Sequence, residues 1–145
     1  MAKYILFVCE RNRGRSQMAQ AFFNSLKKEF SYVGKEYEAI SAGAEPGDRV
    51  NPVAIQAMLE SGIDMSDTTA YFPKGVDSDY IKSRGSNVKR VIMVCDFKCG
   101  LPGEISETPE YWEVPETRGQ SLDDVRKVRD LIGENVRALL KELSR

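Results

Sequence analysis

Apolar positions along the chain follow two alternating rhythms. Tyr4-Ile5-Leu6-Phe7-Val8 is a continuous apolar run, the pattern of a strand buried on both faces as in a parallel sheet. After Ser16 the apolar residues fall at Met18, Ala19, Phe22, Phe23, Leu26 and Phe30, which is helical spacing. Tyr37–Ala42 reads as a second strand closed by Gly43. Asn51 then caps a helix with Pro52 at its first position, Val53, Ala54, Ala57 and Met58 on its apolar face, and Gly62 at its end. Val88–Val94 is a third strand, and Tyr111–Val114 a short fourth. Ser121-Leu122-Asp123-Asp124 opens a final helix as a capping box would, and Val125, Val128, Ile132, Val136, Leu139 and Leu143 form its core stripe. Between these elements, Ser31–Glu36 reads as a connection, Glu45-Pro46-Gly47-Asp48 and Gly85-Ser86-Asn87 as turns, and Val76, Tyr80 and Ile81 as one side of a short helix starting near Asp77. Strands alternating with helices imply an α/β sandwich with a mostly parallel sheet. At 145 residues the chain is expected to form one domain, 1–145.

The connection between the first strand and first helix carries the candidate chemistry. It begins at Cys9 and ends at Arg15-Ser16, so a thiol and an arginine meet at a helix N-terminus, where free N–H groups and the macrodipole attract anions. This arrangement favours the thiolate. A core cysteine at a strand end is the plainer alternative, but the polar loop and the adjacent Ser16 suit a nucleophile better. A nucleotide-binding Walker loop is excluded: Gly14-Arg15-Ser16 mimics its end, yet the earlier glycine is missing and Arg15 replaces the lysine. The planar guanidinium of Arg15 can bind two oxygens of a tetrahedral oxyanion, and loop N–H groups can bind the rest. Ser16 can donate to the Cys9 thiolate or, alternatively, cap the helix. Arg11 and Arg13 add positive potential.

Composition narrows the classes. A net charge of −1 gives no case for nucleic acid or a membrane surface as partner. No apolar run approaches the ~20 residues of a membrane span, and the N-terminal run reads as a strand, with no signal peptide. Three cysteines argue against a disulfide framework and for a cytoplasmic protein. The chain has no histidine, which rules out Cys-His and Ser-His dyads. Cys95 and Cys99 with a distant Cys9 do not supply four good zinc ligands, so neither a metal nor another cofactor is expected. The Val88–Val94 strand delivers Cys95 to its carboxyl end, the sheet edge that Cys9 should share. Cys99 follows one helical turn later, in a stretch made loop-like by Gly100, Pro102 and Gly103.

Cys9, Asn12, Arg15 and Ser16, in the order Cys-x2-Asn-x2-Arg-Ser, resemble the phosphate-binding loop of low-molecular-weight tyrosine phosphatases and of the thioredoxin-coupled arsenate reductases that share their fold. The continuation Arg15-Ser16-Gln17-Met18-Ala19 resembles the reductase branch, since the phosphatases typically have proline where Gln17 stands. Ser41-Ala42-Gly43, Asn51-Pro52 and Gly62-Ile63-Asp64 resemble further family segments. The resemblance implies a three-layer sandwich on a four-stranded parallel sheet of order 2-1-3-4. It implies an oxyanion site formed by Glu10, Arg11, Asn12, Arg13, Gly14 and Arg15, with Asn12 fixing the loop by an Asx-type bond. It also implies roles for all three thiols: Cys9 attacks arsenate, Cys95 releases arsenite by forming a disulfide, and Cys99 takes over that disulfide for a thioredoxin-like reductant.

Three departures from the family pattern stand out. The spacing Cys95-x3-Cys99 is shorter than usual. The family's acid, an Asp commonly followed by proline before the last helix, has no counterpart; Glu116 after Pro115 takes that position, with Glu113 and Asp96 as other carboxylates. Gln20 replaces an acidic residue beside Ser41 and Asn12, so a potassium site found in some relatives looks incomplete. The expectation is therefore a monomeric cytoplasmic arsenate reductase. The alternative is a phosphatase hydrolysing aryl phosphates through a phosphocysteine, with arsenate or phosphate as the oxyanion in either case. A third reading is a non-catalytic oxyanion-binding or redox-sensing module, which Cys9→Ser would separate from the other two.

Overall fold

A computed structural model describes residues 2–95 and 101–144. Its centre is β1 (Lys3–Cys9), flanked by β2 (Tyr37–Gly43) and β3 (Val88–Met93), with β4 (Glu110–Tyr111) at the far edge. All pairings are parallel and the order is β2-β1-β3-β4, as the resemblance implied. Every residue from Ile5 to Cys9 is buried. Ile5, Phe7 and Cys9 enter one core while Leu6 and Val8 enter the other, which is why the run is apolar without alternation.

Helices α1 (Arg15–Leu26), α3 (Pro52–Glu60) and α5 (Leu122–Leu143) cover the first face. There Phe7 packs between Phe23 and Trp112, with ring centroids 6.4 and 5.6 Å away. The opposite face is covered more thinly, by α4 (Asp79–Lys82) with Ile81 and by Ile105. The Asn51 side chain accepts from the N–H of Val53, and Ser121 from that of Asp124, so both expected caps form. Gly62 adopts φ +80° after α3, a conformation that favours glycine.

Local structure departs from expectation in five places. Ser31–Glu36 is a short helix, α2, because burying Val33 anchors one turn against the main core. The first helix stops at Leu26 and continues as a 3-10 turn over Lys27–Glu29. Gly85–Asn87 is likewise a 3-10 turn, and the helix expected near Asp77 begins at Asp79. The last strand is Glu110–Tyr111, so of the expected Tyr111–Val114 it keeps only Tyr111; Trp112 turns toward Phe7 and the chain then runs irregularly to α5. Among the described residues no helix is long and apolar enough to cross a membrane.

Candidate active site

Parallel strands put their carboxyl ends on one edge, and the candidate site lies there between the ends of β1, β2 and the β4–α5 connection. The loop after β1 is pinned from behind. Carbonyl oxygens of Cys9, Glu10, Arg11 and Arg13 accept from the N–H groups of Ala44, Glu45, Gly47 and Asn51, at 3.2, 2.8, 3.0 and 2.7 Å. A planar trans peptide points its N–H opposite to its carbonyl. The N–H groups of Glu10, Arg11, Asn12 and Gly14 therefore face the other side of the loop, and among the described residues none has a protein acceptor. Such a set of free donors before a helix N-terminus is an anion cradle. Gly43 makes the close approach possible: a Cβ there would lie 2.9 Å from the backbone of Arg11 and Asn12.

The pocket is lined by Cys9, Arg11, Arg13, Gly14, Arg15, Asn51, Glu116, Thr117 and Arg118. Cys9 is almost fully buried at its floor, and its Sγ lies 2.9 Å from Ser16 Oγ. Ser16 sits in the first turn of α1 and makes no capping bond, which corrects the alternative role as N-cap. Asn12 Nδ2 donates to the same hydroxyl oxygen at 2.7 Å, leaving the hydroxyl hydrogen available to the sulfur. Asn12 fixes the loop through its side chain, though not by the expected Asx-type bond. It takes φ +55° and its Oδ1 accepts from Gln17 Nε2 and from the N–H of Lys74, a clamp across 62 residues. Asparagine tolerates that left-handed conformation better than most residues.

Arg15 is nearly buried. Its Nη1 donates to the Val114 carbonyl at 3.0 Å and its Nη2 to Glu116 Oε2 at 3.2 Å. Arg13 is held by the Arg49 carbonyl at 2.6 Å and Asp48, while Arg11 and Arg118 are exposed at the rim. Gly14 packs on the hydroxyl of buried Thr117, so any side chain there would push the β4–α5 connection away. Gln20, where some relatives have an acid, accepts the Ser41 hydroxyl at 2.6 Å.

Among the described residues Glu116 is the one carboxylate in the pocket lining; Glu113 is exposed and does not line it. Burial raises the Glu116 carboxyl, but the N–H of Arg118, the Arg15 guanidinium, the N–H of Thr117 and the Arg118 charge together hold it below the usual carboxylate range. In this arrangement Glu116 is ionised and paired, so it has no proton to give until its partner is drawn away. A lowered carboxyl stabilises the fold above the unfolded value of about 4.3 and ceases to do so as pH falls through the folded value. Glu116→Gln should accordingly lose less thermal stability than wild type between pH 5 and pH 3. At pH 7 the difference should stay below about 1 kcal/mol, because the side chain is 42% exposed. Parallel melting curves across that range check both statements.

Cys95 lies just past β3, almost fully buried in the same core cluster as Cys9. Cys99 and Asp96, both singled out in the sequence, lie outside the described residues. Sequence reasoning missed several contributors, among them the Lys74 N–H, Thr117 and Arg118. The Val114 carbonyl had no signal at all, and Gln17 was noticed only as a substitution for proline.

The chain resembles known proteins over nearly its whole length. The family model described as low molecular weight phosphotyrosine protein phosphatase matches residues 4–145. A glutaredoxin arsenate reductase of Synechocystis sp. is 34% identical, covering 98% of this chain and 99% of its own. A solved structure of an arsenate reductase in the phosphate binding state is 32% identical, with a TM-score of 0.76 and coverage of 97% and 98%. The thioredoxin-dependent arsenate reductase of Corynebacterium glutamicum is 26% identical with a TM-score of 0.69, matched over 99% of this chain and 64% of its own. With its fold, its pinned loop and a family match from residue 4 to the end, the chain belongs to the low molecular weight phosphotyrosine protein phosphatase family.

Proposed function

We propose that this protein reduces arsenate to arsenite through a relay of Cys9, Cys95 and Cys99. Arsenate docks on Arg15 and the loop N–H groups. The Cys9 thiolate attacks arsenic(V) and displaces one oxygen, which leaves as water after protonation. Cys95 then attacks Cys9 Sγ; the sulfur–arsenic bond breaks with its electron pair going to arsenic, which departs as arsenite. Cys99 attacks the new disulfide at Cys95, freeing Cys9 and leaving Cys95–Cys99 for an external dithiol to reduce. Glu116 supplies the proton: an anion that takes over Arg15 removes one of the groups that hold the carboxylate ionised and sets a negative charge beside it, and both changes favour the protonated carboxyl that can pass its proton on.

One observation carries the reading. Cys9 ends β1 and Cys95 follows two residues after the end of the neighbouring β3, with Val8 opposite Met93 and the Val94 N–H on the Val8 carbonyl at 2.8 Å. Diagonal neighbours on adjacent strand ends lie roughly 5–7 Å apart, the Cα separation a disulfide spans. The relatives named for arsenate, one with glutaredoxin and one with thioredoxin in its description, support an external dithiol protein of that class as reductant.

Arsenate-dependent NADPH consumption with thioredoxin and thioredoxin reductase, repeated with glutaredoxin and glutathione, tests the proposal on wild type, Cys95→Ser and Cys99→Ser. Wild type should turn over continuously, and neither variant should sustain turnover. Of the three thiols, aryl phosphate hydrolysis needs only Cys9, so it should be equal in all three proteins. If arsenate gives no turnover and all three proteins hydrolyse the aryl phosphate alike, the protein is a phosphatase and the relay is wrong.

A further inference from the structure

Gln17 is fully buried and lines no part of the pocket. Its Nε2 lies 3.0 Å from each of three oxygens: the Asn12 carbonyl, Asn12 Oδ1 and the Phe72 carbonyl. Its Oε1 has no partner among the described residues. The three acceptors settle the amide orientation, since the reverse would set Oε1 against three oxygens. This is an unequal exchange for a packing residue, because one buried oxygen goes unsatisfied so that the NH2 group can hold both the backbone and the side chain of Asn12.

The consequence runs toward the sulfur. With Oδ1 taken by Gln17 and by the N–H of Lys74, Asn12 can only present Nδ2 to Ser16, at 2.7 Å. The Ser16 hydroxyl, receiving that bond, has its hydrogen left for Cys9 Sγ at 2.9 Å. The far end of the chain is also tied down. The Phe72 carbonyl accepts from Lys74 Nζ at 3.1 Å as well as from Gln17, and the Lys74 ammonium is held between the rings of Phe72 and Tyr80, 4.4 and 5.2 Å from their centroids.

We propose that Gln17 is a positioning residue for the Cys9 thiol, clamping Asn12 to the Phe72–Lys74 segment so that the Ser16 hydroxyl stays aimed at the sulfur. The inference rests on Cys9 being the attacking thiol, but concerns its readiness and not what it attacks. Among the described residues the charged groups sharing its pocket are Arg11, Arg13, Arg15, Glu116 and Arg118, and none of them touches Gln17. Removing the Gln17 amide therefore alters the hydrogen-bond chain while leaving those charges in place.

The test is alkylation of full-length protein by iodoacetamide, read on the Cys9-containing peptide by mass spectrometry at pH 7 and pH 9.5, beside the thermal midpoint. Gln17→Met should slow alkylation of Cys9 about 3- to 10-fold at pH 7, the worth of one hydrogen bond, and the deficit should close at pH 9.5. Lys74→Met keeps the main-chain donor to Asn12 and should have a smaller effect. If Gln17→Met fails to fold, Gln17→Ala carries the same expectation, because it removes the amide and places no new polar or charged group among those oxygens. A wild-type ratio between the two pH values, whatever the loss of stability, would reduce Gln17 to packing and overturn the proposal. Alkylation needs no arsenate, so failure of the three-thiol relay would leave this result readable.

Discussion

Cys9→Ser is expected to lower both arsenate reduction and aryl phosphate hydrolysis by roughly 10⁴-fold or more while phosphate binding survives. An alkoxide forms far less readily than a thiolate, and no histidine exists in the chain to act as a base for a hydroxyl. The anion cradle does not depend on the sulfur. Arg15 is held by Val114 and Glu116, and the loop carbonyls by the segment from Ala44 to Asn51, all untouched by the change. The replacement hydroxyl is small enough to keep the contact with Ser16. Turnover in the two assays and calorimetric titration with inorganic phosphate measure the two halves of the statement. Residual turnover above a few per cent of wild type would mean the chemistry starts elsewhere. Lost phosphate binding would mean the sulfur also shapes the loop.

The second large effect is expected at Arg15. Arg15→Ala should reduce kcat/KM for either oxyanion about 10³-fold, since it removes a charged, two-pronged donor aimed at the developing negative charge. It should also destabilise the fold by about 1–3 kcal/mol, because the Val114 carbonyl is left without its donor in a buried position. Arg15→Lys separates charge from geometry. An ammonium restores the charge but cannot meet the Val114 carbonyl, Glu116 and two anion oxygens with one planar fork. Most of the activity loss should therefore persist in Arg15→Lys. Near-wild-type activity in that variant would show that a point charge suffices and that the fork is incidental.

Arg15 also connects the two halves of the site. Its partners come from the β4–α5 connection, about a hundred residues along the chain, and Thr117 in that connection rests on Gly14. An anion arriving at Arg15 competes with Glu116 for the same guanidinium. If Glu116 is the proton donor as proposed, binding the oxyanion and releasing that carboxylate are coupled through one side chain.

Much of this was legible in the chain. The unbroken apolar run of β1, the helical spacing of α1 and α5, and the caps at Asn51 and Ser121 depend on residues within a few positions of one another, and all formed, with α1 stopping at Leu26 short of the expected Phe30. The separation of Cys9 from Arg15 is equally local, because a loop between a strand end and a helix start leaves the two little freedom. Other features depended on register. Whether Ser16 capped its helix or faced the thiol was open, since a serine beside a helix start can do either. The clamp on Asn12 by Gln17 and Lys74, the grip of Val114 and Glu116 on Arg15, and the shortening of β4 follow from which strand ends lie side by side. Short-range periodicity and propensity act between neighbours in sequence, so the sequence by itself determined the elements and the loop that carries the thiol. Partners separated by 60 to 100 residues meet only when β2, β1, β3 and β4 align their carboxyl ends, and that alignment was decided by the tertiary structure.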